Sequence, residues 1–211
     1  MIFLKHLVYY IVCGLLKLLS FVFFPCKAVG TENLPKGKTF ILCPNHISWF
    51  DVVPINMAYM RPMNYMAKIE LFKNKFVGGI LRLFGAFPVN RGAGDKGALD
   101  RAGEMLKTDK PMCIFVEGTR THNADASPGR AKSGAVLLAS QASCDLVPVA
   151  IVYKHGRPRI FSSTTVYFGE PLMAEEIKIE GVDRAELRRV STEIMNRITD
   201  MWKAGTEKCR K

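Results

Sequence analysis

The sequence lacks paired cysteines, a serine nucleophile elbow and any low-complexity tract, and it is short of acid. Its six cysteines, Cys13, Cys26, Cys43, Cys113, Cys144 and Cys209, are scattered over 211 residues, with no Cys-x-x-Cys pair and no histidine at ligand spacing. That speaks against a structural metal site, and no metal is expected. Cys43 and Cys113 stand inside apolar runs and read as reduced core thiols, which suggests a cytosolic, reducing side for the main domain. No Gly-x-Ser-x-Gly is present, so an esterase or thioesterase reading ranks last. The aromatic-plus-basic RNA motifs and a helix-turn-helix signature are also missing, and nucleic acid is not an expected partner. No small-x-small site follows the N-terminal apolar run, which disfavours a cleaved signal peptide. Acidic residues number 19 against 30 basic ones, giving a formal net charge of +11. Such a surplus favours anionic lipid, a phosphorylated ligand, nucleic acid or an acidic carrier protein; charge alone does not choose among them, and the missing motifs count against nucleic acid.

Hydrophobic residues make up 48% of the chain, and its length fits one domain with a full core plus a short appendage. The appendage is residues 1–26, where MIFLKHLVYYIVCGLLKLLSFVFF ends at Pro25. From His6 to Phe24 a helix would be roughly 28 Å long, enough to cross a bilayer. Lys17 lies inside that run, and a charge at mid-bilayer costs roughly 2.5–3.5 kcal/mol on insertion scales. An interfacial or half-inserted helix lets Lys5 and Lys17 reach the head groups and is the favoured expectation, ahead of a full span and of a buried core helix. Residues 27–211 form the second unit, the folded domain.

Lys27–Lys38 is turn-rich and reads as a linker. Beyond it, short apolar runs alternate with helical periodicity. Thr39–Cys43, Phe87–Val89, Met112–Val116, Leu146–Tyr153 and Ile160–Phe168 predict strands. Val52–Tyr59, Phe76–Phe84, Lys96–Lys107, Ser133–Gln141 and Asp183–Trp202 predict helices. In the last, Leu187, Val190, Ile194, Ile198 and Met201 make one apolar stripe. The alternation predicts an α/β domain, a partly parallel mixed sheet flanked by helices, preceded by the membrane-anchoring segment. Sites in such sheets lie where strand carboxyl ends enter helices.

The polar motifs fall there. After strand TFILC comes Pro44-Asn45-His46-Ile47-Ser48-Trp49-Phe50-Asp51. A neutral imidazole near pH 7 is a natural acceptor for a hydroxyl proton, and a carboxylate on its other nitrogen would fix its tautomer. On a regular helix, residues five apart lie about 140° from each other and share no face. The pair can meet if His46 is in the loop and Asp51 in the first helical turn, with Ser48 as the cap. Trp49 and Phe50 read as core, with an acyl-channel wall as the alternative. His122 and His155 read as surface residues.

Asn45-His46-x4-Asp51 resembles the signature of the glycerolipid acyltransferase superfamily, the PlsC-type 1-acyl-sn-glycerol-3-phosphate acyltransferases. Three further blocks follow in the family's order. Gly85-Ala86-Phe87-Pro88-Val89-Asn90-Arg91 resembles the second. Phe115-Val116-Glu117-Gly118-Thr119-Arg120 resembles the third, with Val116 where proline is common. Val147-Pro148-Val149 resembles the fourth.

The resemblance implies acyl transfer from a thioester, acyl-CoA or acyl carrier protein, to the sn-2 hydroxyl of lysophosphatidate, making phosphatidate. The enzyme would work at a membrane surface of anionic lipid, on its cytoplasmic side, and need no cofactor. His46 and Asp51 are the catalytic residues it implies. Its phosphate contacts map onto Lys68 and Arg120, with Arg91 a third, and its substrate loop onto Glu117, Gly118, Thr119 and Arg120. Arg120 offers a planar fork for two phosphate oxygens, and Gly118 can turn backbone N–H groups towards a ligand. Glu117 would repel a phosphate unless paired, and Arg91 or Lys132 is its expected partner. Two other readings stay open: the same chemistry on another lysolipid acceptor, and a non-catalytic lipid-binding protein at the membrane.

Overall fold

The computed structural model describes residues 7, 10–12, 14, 15, 18, 23–89, 96–108, 110–179 and 183–210. Among the described residues seven strands form one mixed sheet in the order β1-β7-β6-β2-β5-β3-β4. They are β1 (Cys26–Val29), β2 (Phe40–Pro44), β3 (Asn64–Lys68), β4 (Ala86–Val89), β5 (Met112–Cys113), β6 (Asp145–Tyr153) and β7 (Thr164–Phe168). β6, β2, β5, β3 and β4 run parallel. β7 turns back antiparallel to β6, and β1 lies parallel to β7 at the edge.

Among the described residues of the domain, five helices cover both faces: α1 (Val52–Tyr59), α2 (Lys75–Leu83), α3 (Lys96–Leu106), α4 (Gly134–Ala142) and α5 (Arg184–Arg210). Alternation along β2 shows why. Ile41 and Cys43 join a core with Ala102 of α3, Leu138 of α4 and Ile194 of α5. Phe40 and Leu42 join the other core, with Ile55 of α1 and Leu81 of α2. A sheet buried on both faces favours apolar side chains, and β2 and β6 are buried throughout, with Asp145 at the start of β6 paired to Lys38 at 2.7 Å. The expected α5 stripe holds, with Leu187, Val190, Ile194 and Ile198 buried.

Several boundaries differ from expectation. The expected linker contains β1, whose burial alternates as an edge strand's does and whose Lys27 faces out. β3 carries no distinctive apolar run. β5 is shorter than Met112–Val116, although Ile114 and Val116 still donate to the carbonyls of Leu42 and Pro44. β7 begins at Thr164 rather than Ile160, because residues 154–163 form the turn from β6. α5 continues to Arg210, beyond Trp202.

Much of the N-terminal segment, including Lys5, Cys13 and Lys17, lies outside the described residues. Leu7, Tyr10, Ile11, Leu15, Leu18 and Phe23 are helical and exposed. No helix among the described residues is long and apolar enough to cross a membrane.

Candidate active site

β2 delivers Pro44 to the carboxyl edge of the sheet, and Asn45 fixes the chain there. Its buried amide donates to the Ile151 carbonyl at 3.2 Å and accepts from the Ile151 N–H at 2.7 Å, extending the β2–β6 pairing through a side chain. His46 follows in the loop. Ser48 caps a 3-10 turn, Trp49–Asp51, which leads into α1. The turn brings Asp51 back under His46, and Nδ1 of the ring lies 2.8 Å from Asp51 Oδ2.

Asp51 is fully buried, yet its carboxylate is saturated by donors. Oδ2 also accepts from the N–H groups of Ile47 at 2.6 Å and Ser48 at 2.8 Å. Oδ1 accepts from the Tyr153 hydroxyl at 2.8 Å. Burial, reinforced by the neighbouring Asp51 carboxylate, raises the Tyr153 phenol far above its ordinary value, so Tyr153 stays a neutral donor. Four donors compensate the buried carboxylate for its lost hydration, and with Asp51 as acceptor a neutral His46 ring would carry its proton on Nδ1. The His46 ring stacks on Phe115 with centroids 4.0 Å apart. Nε2 has no hydrogen-bond partner among the described residues, and the side chain keeps 13% of its exposure. The ring is thus clamped on one side and open on the other, the arrangement a general base requires.

The loop after β5 closes over the dyad. Glu117 accepts from the His46 N–H at 2.8 Å and from the Gly129 N–H at 3.0 Å. A Cβ on Gly129 would lie 2.8 Å from Glu117 Oε2, so a larger residue there would displace that carboxylate. Thr121 N–H donates to the His46 carbonyl at 2.7 Å, completing the clamp. The expected ion pair of Glu117 with Lys132 is absent among the described residues, and Arg91 lies outside them. Backbone N–H groups replace a cation because they are already pointed at the site, which spares the burial of a second charge. Burial pushes the Glu117 carboxyl above the ordinary carboxylate range, while its two N–H donors and the His46 ring oppose that rise.

Both Glu117 oxygens accept, so glutamine there would turn an amide NH2 against one of the two N–H groups. Glu117→Gln should therefore lower stability by about 1–3 kcal/mol, the cost of a buried donor left unpaired. Denaturant unfolding of the variant checks this. A variant as stable as the parent would show that the loop does not depend on Glu117.

Gly118 adopts φ 70°, and its N–H donates to the Phe115 carbonyl at 3.0 Å. It makes the turn, and that N–H is already engaged rather than directed at a ligand. Lys132 covers it, 2.9 Å from where a Cβ would stand. Thr119 is exposed. Arg120 follows, its guanidinium 4.6 Å from the Trp49 ring centroid. Trp49 is 62% exposed, so it is not core as expected; it is a platform beside the dyad that holds Arg120. Phe50 is half-buried against Phe24.

Lys68 ends β3 at the same sheet edge, 3.4 Å from Glu70 and about half exposed. It stands two strands from β2, roughly 9–10 Å across the sheet at the usual spacing. The structure thus brings His46, Asp51, Glu117, Gly118 and Arg120 together and leaves Lys68 at the rim. His122 and His155 are exposed, as expected. Among the described residues no cluster of histidine, cysteine or carboxylate side chains could hold a metal.

Sequence reasoning missed Tyr153, Phe115 and the anchoring role of Asn45. Tyr153 is separated from Asp51 by 102 residues, and only its position ending a buried strand hinted at it.

The sequence profile described as Acyltransferase matches residues 26–152. A Bacillus subtilis protein named 1-acyl-sn-glycerol-3-phosphate acyltransferase is 33% identical over 149 residues, 69% of this chain and 73% of that one. A Streptococcus pneumoniae protein of the same name is 30% identical over 185 residues, 82% and 67% of the two chains. The crystal structure of the Thermotoga maritima acyltransferase PlsC shares the fold, with a TM-score of 0.69 at 24% identity over 92% of this chain and 80% of that one.

Proposed function

Because the chain belongs to the acyltransferase family and is a PlsC-type member of it, we propose that it moves a fatty acyl group from a thioester to the sn-2 hydroxyl of lysophosphatidate. The product is phosphatidate, and the donor is acyl-CoA or acyl carrier protein. The observation that carries this reading is the 2.8 Å contact of His46 Nδ1 with a buried carboxylate, which leaves Nε2 open to an acceptor.

The hydroxyl oxygen attacks the thioester carbonyl as Nε2 takes its proton. Asp51 stabilises the imidazolium that forms. The tetrahedral intermediate collapses by breaking the C–S bond, and the thiolate leaves with the electron pair and then takes a proton from His46 or water. The proton balance closes without a metal or cofactor. Arg120, planar and held on Trp49, receives the acceptor phosphate, and Lys68 at the rim adds a second positive charge. The basic chain and its apolar N-terminal segment support a site at a membrane surface of anionic lipid, and the free thiols of the described cysteines support its cytoplasmic side.

Thiol release from an acyl thioester should depend on added lysophosphatidate. Equal release without acceptor would make the protein a thioesterase, and no release with either donor would end the proposal. Arg120→Ala should lower kcat/KM for lysophosphatidate roughly 10–100-fold, as expected for losing a charged hydrogen bond. It should change use of the dephosphorylated acceptor far less. An unchanged preference between the two acceptors would remove Arg120 from phosphate binding.

A further inference from the structure

The exposed large apolar side chains are not spread over the molecule. Outside the N-terminal segment, Trp49, Phe76, Val77, Ile80, Ile160 and Phe161 are all exposed, Phe76 at 78% and Phe161 at 71%. Topology places them. β2, β5, β3 and β6 are parallel, so the turn after each stands at the edge that carries His46. Trp49 follows β2. The chain after β3 leads into α2, whose first turns carry Phe76, Val77 and Ile80 within about 100° of one another. The turn after β6 carries Ile160 and Phe161. Ile69, 44% exposed, follows β3 and stands at that edge too, whereas Val29 and Met173, the remaining exposed apolar residues of the domain among the described residues, are at the opposite edge. Thr164 pairs with both Tyr153 and Cys26, so the N-terminal segment also enters at the catalytic edge.

Basic residues accompany the apolar ones. Residues 72–83 hold Lys73, Lys75 and Arg82 and no acid, and residues 154–163 hold Lys154, Arg157 and Arg159 and no acid. Phe161 takes φ 61°, a conformation that side chains with a Cβ rarely adopt. It is held outward by its N–H on the Phe23 carbonyl at 2.6 Å and by ring contact with Phe23 at 5.5 Å.

We propose that α2 and the Ile160–Phe161 turn are two further lipid-docking elements, which with the N-terminal segment seat the catalytic edge on an anionic bilayer. Exposed apolar side chains rimmed by cations, with Glu70 at the start of this stretch paired to Lys68, suit the boundary between acyl chains and anionic head groups. Three contacts around one edge fix orientation, which a single anchor would leave free, and they point His46 at the layer from which a lipid acceptor rises. The proposal rests on the acyl-transfer reading only for its purpose, not for its geometry.

The test uses the full chain and vesicles of phosphatidylglycerol and phosphatidylcholine, part of the lipid brominated on its acyl chains. Phe76→Trp and Phe161→Trp each add one fluorophore, and Val29→Trp is the control at the far edge. The fluorescence added at 76 and 161 should be quenched by brominated lipid, while that added at 29 should not. Quenching should weaken when phosphatidylcholine is the sole lipid. Equal exposure at all three positions overturns the proposal. So does concentration-dependent dimerisation without vesicles that shields Trp at 76 or 161, since the occupant would then be a second copy. No turnover enters this readout, so its failure is distinct from failure of the acyl-transfer reading. In turnover, Phe76→Ser with Ile80→Ser should slow transfer to a vesicle-borne acceptor by roughly tenfold or more. Transfer to a short-chain acceptor dispersed in water should be unchanged. Equal slowing of both also counts against docking.

Discussion

His46→Ala should lower kcat by roughly 10²–10⁴-fold while the protein stays folded, because a positioned general base is worth about that much. The structure makes the outcome clear to read. His46 is partly exposed and belongs to a loop rather than to either core. Its backbone N–H and carbonyl hold Glu117 and Thr121, and alanine keeps both of those bonds. Truncation should therefore remove the base and the stacking on Phe115 and leave the loop clamp standing. The measurements are single-turnover thiol release with saturating lysophosphatidate and a thermal unfolding curve on the same preparation. A loss well below a hundredfold with the fold intact would move the base to another residue.

Asp51→Asn should have a comparable or larger effect, for two separable reasons. One is the tautomer: an amide facing Nδ1 can present N–H where a carboxylate accepts, which drives the His46 proton to Nε2 and leaves it unable to take another. In the serine-protease triad the equivalent Asp-to-Asn change costs about 10⁴ in kcat, and a loss of that order is expected here. The other is stability. Oδ2 accepts from three donors and Oδ1 from Tyr153, and an amide cannot accept at both ends. Unfolding should reveal a loss of about 1–3 kcal/mol for the donor left buried and unpaired. Tyr153→Phe serves as the reference, since it removes one donor to Asp51 and leaves the tautomer alone. It should share part of the stability loss and little of the rate loss. Should Asp51→Asn retain most of its turnover while remaining folded, the carboxylate would be a structural cap for the Trp49–Asp51 turn and no part of the chemistry.

The dyad could be found without coordinates because every part of it lies within eight residues, Pro44 to Asp51, and a capped turn is a local structure. The loop Glu117–Arg120 was legible for the same reason, as a glycine turn following an apolar run. Only the family resemblance assigns Lys68 to the phosphate with Arg120, and the strand order puts it two strands from the one that delivers His46. Glu117 looked like the partner of a cation, and it proved to be the partner of two backbone N–H groups from distant segments. Trp49 looked like core because of its size, whereas the turn that lowers Asp51 into the interior swings Trp49 outward.

From the amino-acid order alone came the α/β alternation, the helices α1 to α5 to within a residue or two at most ends, and the chemistry of an imidazole beside a carboxylate. Those follow from periodicity, capping and side-chain type, which act over a few residues and are written locally. The tertiary structure alone decided that Tyr153 backs Asp51, that Asn45 ties β2 to β6, and that the apolar residues of α2 and of the Ile160–Phe161 turn share an edge with His46. Those are consequences of strand order and direction, which depend on contacts between segments a hundred residues apart and leave no mark in any short stretch of the chain.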